Sequence, residues 1–267
     1  MDIISVSNTL LTKYEKQIER VRKRTFGLQE SLVGSDEWKF RRLMTNILVG
    51  GTTEICAMGA TEELFDDETP PSKPERILKT LTDTGIKWPE KRTGNLIELL
   101  KQYPKTPTTR EELEKLPGVG RHTASIFMAL ALNQNEFGVD THVNRITRRL
   151  GFSQLTTSAN VIEKLYTSQI KENLGSLSRA FVEFGQKICK FNPSCSGCPF
   201  AETCPSAIES KKMTYPDGVY EVLSSDGKKT YSIVVSNGFP HCGCKGFEYR
   251  GVCAHVKEQL PVLVRNW

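Results

Sequence analysis

No uninterrupted apolar run in this sequence reaches the roughly 18 residues that a membrane-spanning helix requires, so no transmembrane anchor and no membrane partner are expected. The opening Met1-Asp2-Ile3-Ile4-Ser5-Val6-Ser7 has no basic stretch followed by an apolar one, and no secretory leader is expected either. No segment carries a marked excess of one charge: residues 1–134 hold 20 Lys/Arg against 19 Asp/Glu, and residues 213–267 hold six against five. The net charge of +5 is therefore spread thinly, and basicity alone points to no nucleic-acid partner. The nearest approach to a basic run, Arg20-Val21-Arg22-Lys23-Arg24, fits a solvated helix face. Internal repeats and low-complexity tracts are absent, and histidines number only four. Against these scarcities stand eight cysteines in 267 residues. A chain of this size buries a core without disulfide staples, so metal binding is the first reading of the thiols.

Apolar residues at helical spacing (Leu10, Leu11, Tyr14, Ile18, Val21) predict a helix over residues 8–30. Ser35 is placed to cap a second helix that runs to a turn at Gly50-Gly51. A polar, proline-rich loop follows at 66–74, and helical patterns resume at 75–83, 90–102 and 109–115. Period-two alternation is scarce throughout, and residues 1–210 read as all-α. Beyond residue 212 the pattern changes to a β-hairpin, 219–223 and 230–235 around a Ser-Ser-Asp-Gly turn. This tail is expected to be a separate small module, with Ser210-Lys211-Lys212 as linker.

Three motifs carry chemistry. Cys189, Cys195, Cys198 and Cys204 form C-x5-C-x2-C-x5-C, and Pro193, Gly197, Pro199 and Pro205 turn the backbone so that the sulfurs converge. Such a set suits either an iron–sulfur cubane or a tetrahedral zinc knot. Upstream, Leu116-Pro117-Gly118-Val119-Gly120-Arg121-His122-Thr123-Ala124 joins two helical patterns. Glycines at 118 and 120 let the backbone approach a ligand closely, and the N–H groups of the following helix make a phosphate site. Val139-Asp140-Thr141-His142-Val143-Asn144-Arg145 then puts an aspartate just ahead of another helix, where N-capping is its simplest role.

Taken in this order, LPGVGRHTA, VDTHVNRI and the four cysteines resemble the endonuclease III branch of the helix-hairpin-helix DNA glycosylases, over roughly residues 10–206. The resemblance implies a mainly α, two-lobed fold with DNA between the lobes. A six-helix barrel would span 31–134. Residues 1–30 and 135–210 would form a lobe around a [4Fe-4S] cluster, and 213–267 would be added. It implies that the hairpin grips duplex DNA through Gly118, Val119, Gly120 and Thr123, with Lys115 and Arg121 near phosphates. Asp140 would be the catalytic carboxylate for cleaving an N-glycosidic bond. Such a carboxylate stabilises positive charge on the sugar and orients a water. The base must leave the stack first, at a cost of a few kcal/mol. The implied partner is double-stranded DNA with damaged or mismatched bases. The implied setting is intracellular, cytoplasmic with the nucleoid or nuclear, and the chain is expected to be a monomer.

The sequence departs from that family at three points. Bifunctional members have a lysine immediately before the Thr-Ala of the hairpin helix, and here His122 stands there. An imidazole forms no stable Schiff base, so a monofunctional glycosylase is expected, with His122 lining the cleft. A bifunctional enzyme using another amine and a non-catalytic damage-binding protein are the alternatives. The family's gap-filling glutamine corresponds to Gly51, and the first cluster gap is five residues instead of six.

The tail carries C-x-C-x8-C-x-H: Cys242, Cys244, Cys253 and His255. Three sulfurs and an imidazole complete a tetrahedral set for structural Zn2+. Strands, CxC, then CxH leading into a helix resemble the SWIM zinc finger, which implies a module that binds DNA or a protein partner. His241 reads as a bystander, and Cys56 as a small core hydrophobe.

Overall fold

The computed structural model describes residues 1–66, 70–154, 156–191, 193–212, 217–224, 227–236, 239–250 and 253–259. Helix α1, Ile3–Arg22, buries Ile3, Val6, Leu10, Tyr14, Ile18 and Val21 along one stripe. It begins earlier than residue 8 and stops well short of 30. Phe26 and Gly27 take left-handed backbone angles, φ 53° and 80°, which no helix can continue through.

The chain divides into two compact units: residues 15–138 with 171–178, and residues 1–14 with 139–170 and 179–267. The first holds α2 Asp36–Leu48, α3 Glu54–Leu64, α4 Pro74–Asp83, α5 Pro89–Leu100, α6 Arg110–Leu113 and α7 Arg121–Ala131. Ser35 caps α2 by accepting the Trp38 N–H at 3.2 Å. From Trp38 on, α2 is buried on nearly every face, which makes it the central helix of this unit. Phe40, Leu43, Met44, Ile47 and Leu48 pack with Ala57, Leu64, Ile77, Leu96, Leu99 and Phe127 from the surrounding helices. Even Arg42 is 2% exposed, its guanidinium 5.0 Å from the Trp38 ring centroid and donating to the Val21 carbonyl. Cys56 is half-buried against this core, as a small hydrophobe would be.

The second unit holds α8 Thr141–Arg149, α9 Ala159–Gln169, the C-terminal part of α10 (Leu174–Lys187) and α11 Pro205–Lys212. Residues 210–212, expected as linker, are instead the end of α11; residues 213–216 lie outside the described set. The tail sheet has order β1-β2-β3: β1 Gly218–Leu223, β2 Thr230–Ser236 and β3 Phe239–Cys242, all antiparallel. The hairpin pairs Leu223 with Thr230, and β3 pairs Cys242 with Ile233. Helices α12 Lys245–Arg250 and α13 Ala254–Gln259 complete it. Its core is Val222, Ile233, Val235, Phe247 and Val256 with three cysteines, and Phe191 packs against it. Among the described residues no helix is long and apolar enough to cross a membrane.

Candidate active site and metal centres

The hairpin forms between α6 and α7. Thr109 caps α6 by accepting the Glu112 N–H at 3.3 Å. Leu116 then accepts the Val119 N–H at 3.0 Å, closing a tight turn. Gly118 has φ +82°, and a Cβ there would lie 2.5 Å from Nδ2 of Asn95 on α5. The left-handed backbone favours glycine, and any larger residue would also have to displace the Asn95 side chain. Gly120 caps α7 without a side chain, so the helix start presents backbone to solvent. Lys115, Gly118, Gly120 and Arg121 are exposed, and His122 and Thr123 are half-buried. The Val119 side chain is 6% exposed, which anchors the turn in the core and leaves only its backbone to meet a ligand.

Asp140, half-buried, is the N-cap of α8, and its Oδ1 accepts the Val143 N–H at 2.7 Å. Two arginines one turn apart on α8 reach the segment that carries the first cysteine. Arg145 donates to the carbonyls of Cys189 (2.9 Å) and Gly185 (3.1 Å) and to His142 Nδ1 (3.0 Å). Arg149 donates to Cys189 Sγ (3.4 Å) and to the Phe191 carbonyl (2.8 Å). Burial, with the Arg145 charge beside it, pulls the His142 imidazole below its ordinary value, while Asp140 pulls it upward. These roles of His142, Arg145 and Arg149 were not read from the sequence. The signal for the arginines was their i, i+4 spacing, which sets both on one helix face.

Cys189, Cys195, Cys198 and Cys204 all line one pocket, walled by Phe184, Ile188 and Leu150. Cys189 follows α10, Cys195 opens a 3-10 turn over Cys195–Gly197, and Cys204 precedes α11. The Cys198 sulfur accepts the Phe200 N–H at 3.4 Å, and the Cys204 thiol donates to the Arg149 carbonyl at 3.1 Å. Burial, reinforced by the neighbouring sulfurs, pushes the Cys198 thiol up to about 11. Such thiols ionise readily only when a metal takes the charge.

In the tail, the ligand atoms of Cys242, Cys244, Cys253 and His255 all lie within 4.8 Å of one another. Among the described residues this is the one set that close. Tetrahedral Zn–S bonds of about 2.3 Å place sulfurs about 3.8 Å apart, so the tail set fits a single ion. The four cysteines that line the pocket are a donor set of the kind that holds either an iron–sulfur cluster or a zinc ion. Burial pushes the Cys253 thiol up to about 12. His241 takes no place in the set; its ring packs edge-on against Phe191 at 5.1 Å.

No protein-family model matches the chain. Endonuclease III of Thermotoga maritima is 32% identical over 176 residues, covering 62% of this chain and 82% of that protein. Endonuclease III of Rickettsia prowazekii is 33% identical over 185 residues, covering 64% and 85%. A solved endonuclease III–DNA covalent intermediate is similar with a TM-score of 0.64 at 24% identity, covering 78% of this chain and 97% of that one. At that identity the likeness concerns the fold alone.

Proposed function

The chain belongs to the endonuclease III family of DNA glycosylases, and we propose that it is a monofunctional member, one that hydrolyses the N-glycosidic bond of a damaged or mispaired base and leaves an abasic site. The observation that carries this reading is the placement of Asp140 at the head of α8, in a chain that keeps the hairpin turn but has His122 where the lyase amine would stand. In the reaction, water adds to the anomeric carbon and the C–N bond breaks. The base leaves with the bonding electrons and a proton. The Asp140 carboxylate stabilises the cationic sugar and accepts a hydrogen bond from the attacking water. His122 lines the pocket without becoming the nucleophile. Gly118, Val119 and Gly120 hold a phosphate through backbone N–H groups, Thr123 lies in the first turn of α7, and Lys115 and Arg121 supply charge.

The proposed division of labour gives residues 31–134 to the barrel, 1–30 and 135–210 to the cluster lobe, and 213–267 to the added module. Cys189, Cys195, Cys198 and Cys204 would hold a [4Fe-4S] cluster, which when bound cross-links their loop. Cys242, Cys244, Cys253 and His255 would hold structural Zn2+ in a SWIM-like finger that extends binding to DNA or protein. Without a lyase lysine, uracil, mispaired thymine and alkylated or deaminated purines are favoured over oxidised pyrimidines. The test is a panel of duplexes carrying these lesions, incubated with excess protein and then treated with alkali. Alkali-labile sites with at least one lesion are expected, and their absence throughout would leave a damage-binding protein. Borohydride trapping decides the remaining alternative: a covalent adduct dependent on a lysine would make the enzyme bifunctional.

A further inference from the structure

Arg149 is 5% exposed and ties together the segments around the four cysteines. Its guanidinium donates to Cys189 Sγ at 3.4 Å, to the Lys190 carbonyl and to the Phe191 carbonyl at 2.8 Å. Its own carbonyl accepts the Cys204 thiol at 3.1 Å. One buried residue thus touches the first and the last of the four cysteines and the stretch that follows the first. A buried guanidinium that loses an acceptor costs free energy, since no water replaces the lost bond. Movement of Phe191 is therefore felt at Cys189 and Cys204.

The Phe191 ring, in turn, is held by the tail. It packs edge-on against His241 at 5.1 Å and Phe247 at 4.6 Å, and those two rings lie 5.6 Å from each other. Both tail rings adjoin candidate metal ligands. His241 directly precedes Cys242, and the Phe247 N–H donates to Cys244 Sγ at 3.3 Å. An ion held by Cys242, Cys244, Cys253 and His255 would fix the backbone on which both rings stand.

We propose that the tail is a lock on the four-cysteine site. Its ion keeps His241 and Phe247 against Phe191, Phe191 keeps the contacts of Arg149, and metal leaves the four cysteines more slowly as a result. The module then has a task inside the chain, besides any ligand it binds outside. The lock rests on the reading that both sets hold metal and is independent of the glycosylase reading. Coupling between two binding sites is reciprocal, so metal at the four cysteines also secures the ion of the tail.

The test uses the full chain with both sets loaded and needs no DNA. Excess chelator is added, and released iron and zinc are followed in time. His255→Ala removes a tail ligand, and the phase it lacks is that of the tail. The remaining phase, release from the four cysteines, should run at least about threefold faster than in wild type, within the range of about two- to tenfold that an edge-on ring pair supports. Phe191→Ala, which touches no ligand, should speed that phase by a similar factor, and Phe191→Tyr should keep the wild-type rate. The double variant should be no faster than either single one. A wild-type rate from the four cysteines in H255A or in F191A would overturn the lock. So would factors that multiply in the double variant, because the two changes would then act separately. A wild-type chain that carries metal in only one set would also overturn it, while the lesion panel would still decide the glycosylase reading.

Discussion

A carboxylate that caps a helix and a carboxylate that serves a cationic sugar use different properties of one group. Asp140 caps α8 through Oδ1. An asparagine caps about as well but carries no charge. Asp140→Asn should therefore abolish base release while leaving thermal stability within experimental error. Asp140→Ala should lose base release and also about 1 kcal/mol of stability. Equal melting of the alanine variant and wild type would show that the cap contributes nothing. At the other residue of interest, His122→Lys puts an amine where the resemblance places the lyase nucleophile. Borohydride should then trap an adduct that the wild-type chain does not form, and failure to trap would mean that position 122 does not face the sugar. His142 sets a pH dependence. Burial lowers its folded value below the ordinary 6.5, against the pull of Asp140 and with Arg145 and Arg179 adding to the lowering. Below about pH 6.5 the unfolded chain takes up a proton that the folded chain refuses. Stability should thus be full above that pH and fall as pH drops, and His142→Gln should flatten the acid limb of the melting profile.

Elements were legible in the sequence where one periodicity acts alone. The apolar stripe of α1, the Ser35 cap of α2 and the β1–β2 hairpin follow from spacing and turn chemistry. Three boundaries did not. A helix running on to residue 30 is barred by left-handed Phe26, a residue with no intrinsic preference for that region. Strand β3 is four residues long and contains Pro240, so its pairing with β2 comes from the sheet and from Cys242, with no alternating pattern to announce it. Ser210-Lys211-Lys212 looks like a linker by composition, yet it continues the helix begun at Pro205. The gathering of Cys242, Cys244, Cys253 and His255 into one cluster, and of Cys189, Cys195, Cys198 and Cys204 around one pocket, was legible because short cysteine spacing encodes it. The contact of Phe191 with Phe247 was not, since nothing in sequence places one against the other. The hairpin allows a test at this scale. Gly118→Ala meets both a left-handed backbone and Asn95, whose side chain can swing aside. It should cost about 1–3 kcal/mol in chemical denaturation. It should weaken binding to all duplexes alike, because a phosphate grip carries no sequence information. A loss confined to one lesion would place Gly118 in the base pocket instead.

At the scale of the whole chain, the tail and the four-cysteine region share one compact unit, and the ring of Phe191 packs between them. Phe191 lies two residues beyond Cys189. Its carbonyl is held by Arg149, while its ring packs edge-on against Phe247 at 4.6 Å. The Phe247 N–H donates to Cys244 Sγ at 3.3 Å, inside the tail metal set. A tail joined by sequence alone would need none of this. The tail core is small, and among the described residues three of its eight buried members are cysteines of the candidate metal set, so if that set holds the proposed ion the tail should not survive its loss. Chelation should make residues 213–267 protease-sensitive. Phe191→Ala should loosen the same residues without changing the metal content of the tail, because no ligand is touched. In a double-mutant cycle with Phe247→Ala, the pair should show a coupling of about 0.5–1.5 kcal/mol, the range for edge-on aromatic pairs. Zero coupling, or protease sensitivity unchanged in Phe191→Ala, would mean that the module swings free of the cluster lobe. Coupling in the expected range would make the added module a fixed part of whatever surface the cluster loop presents, and would oblige any ligand of that surface to meet both.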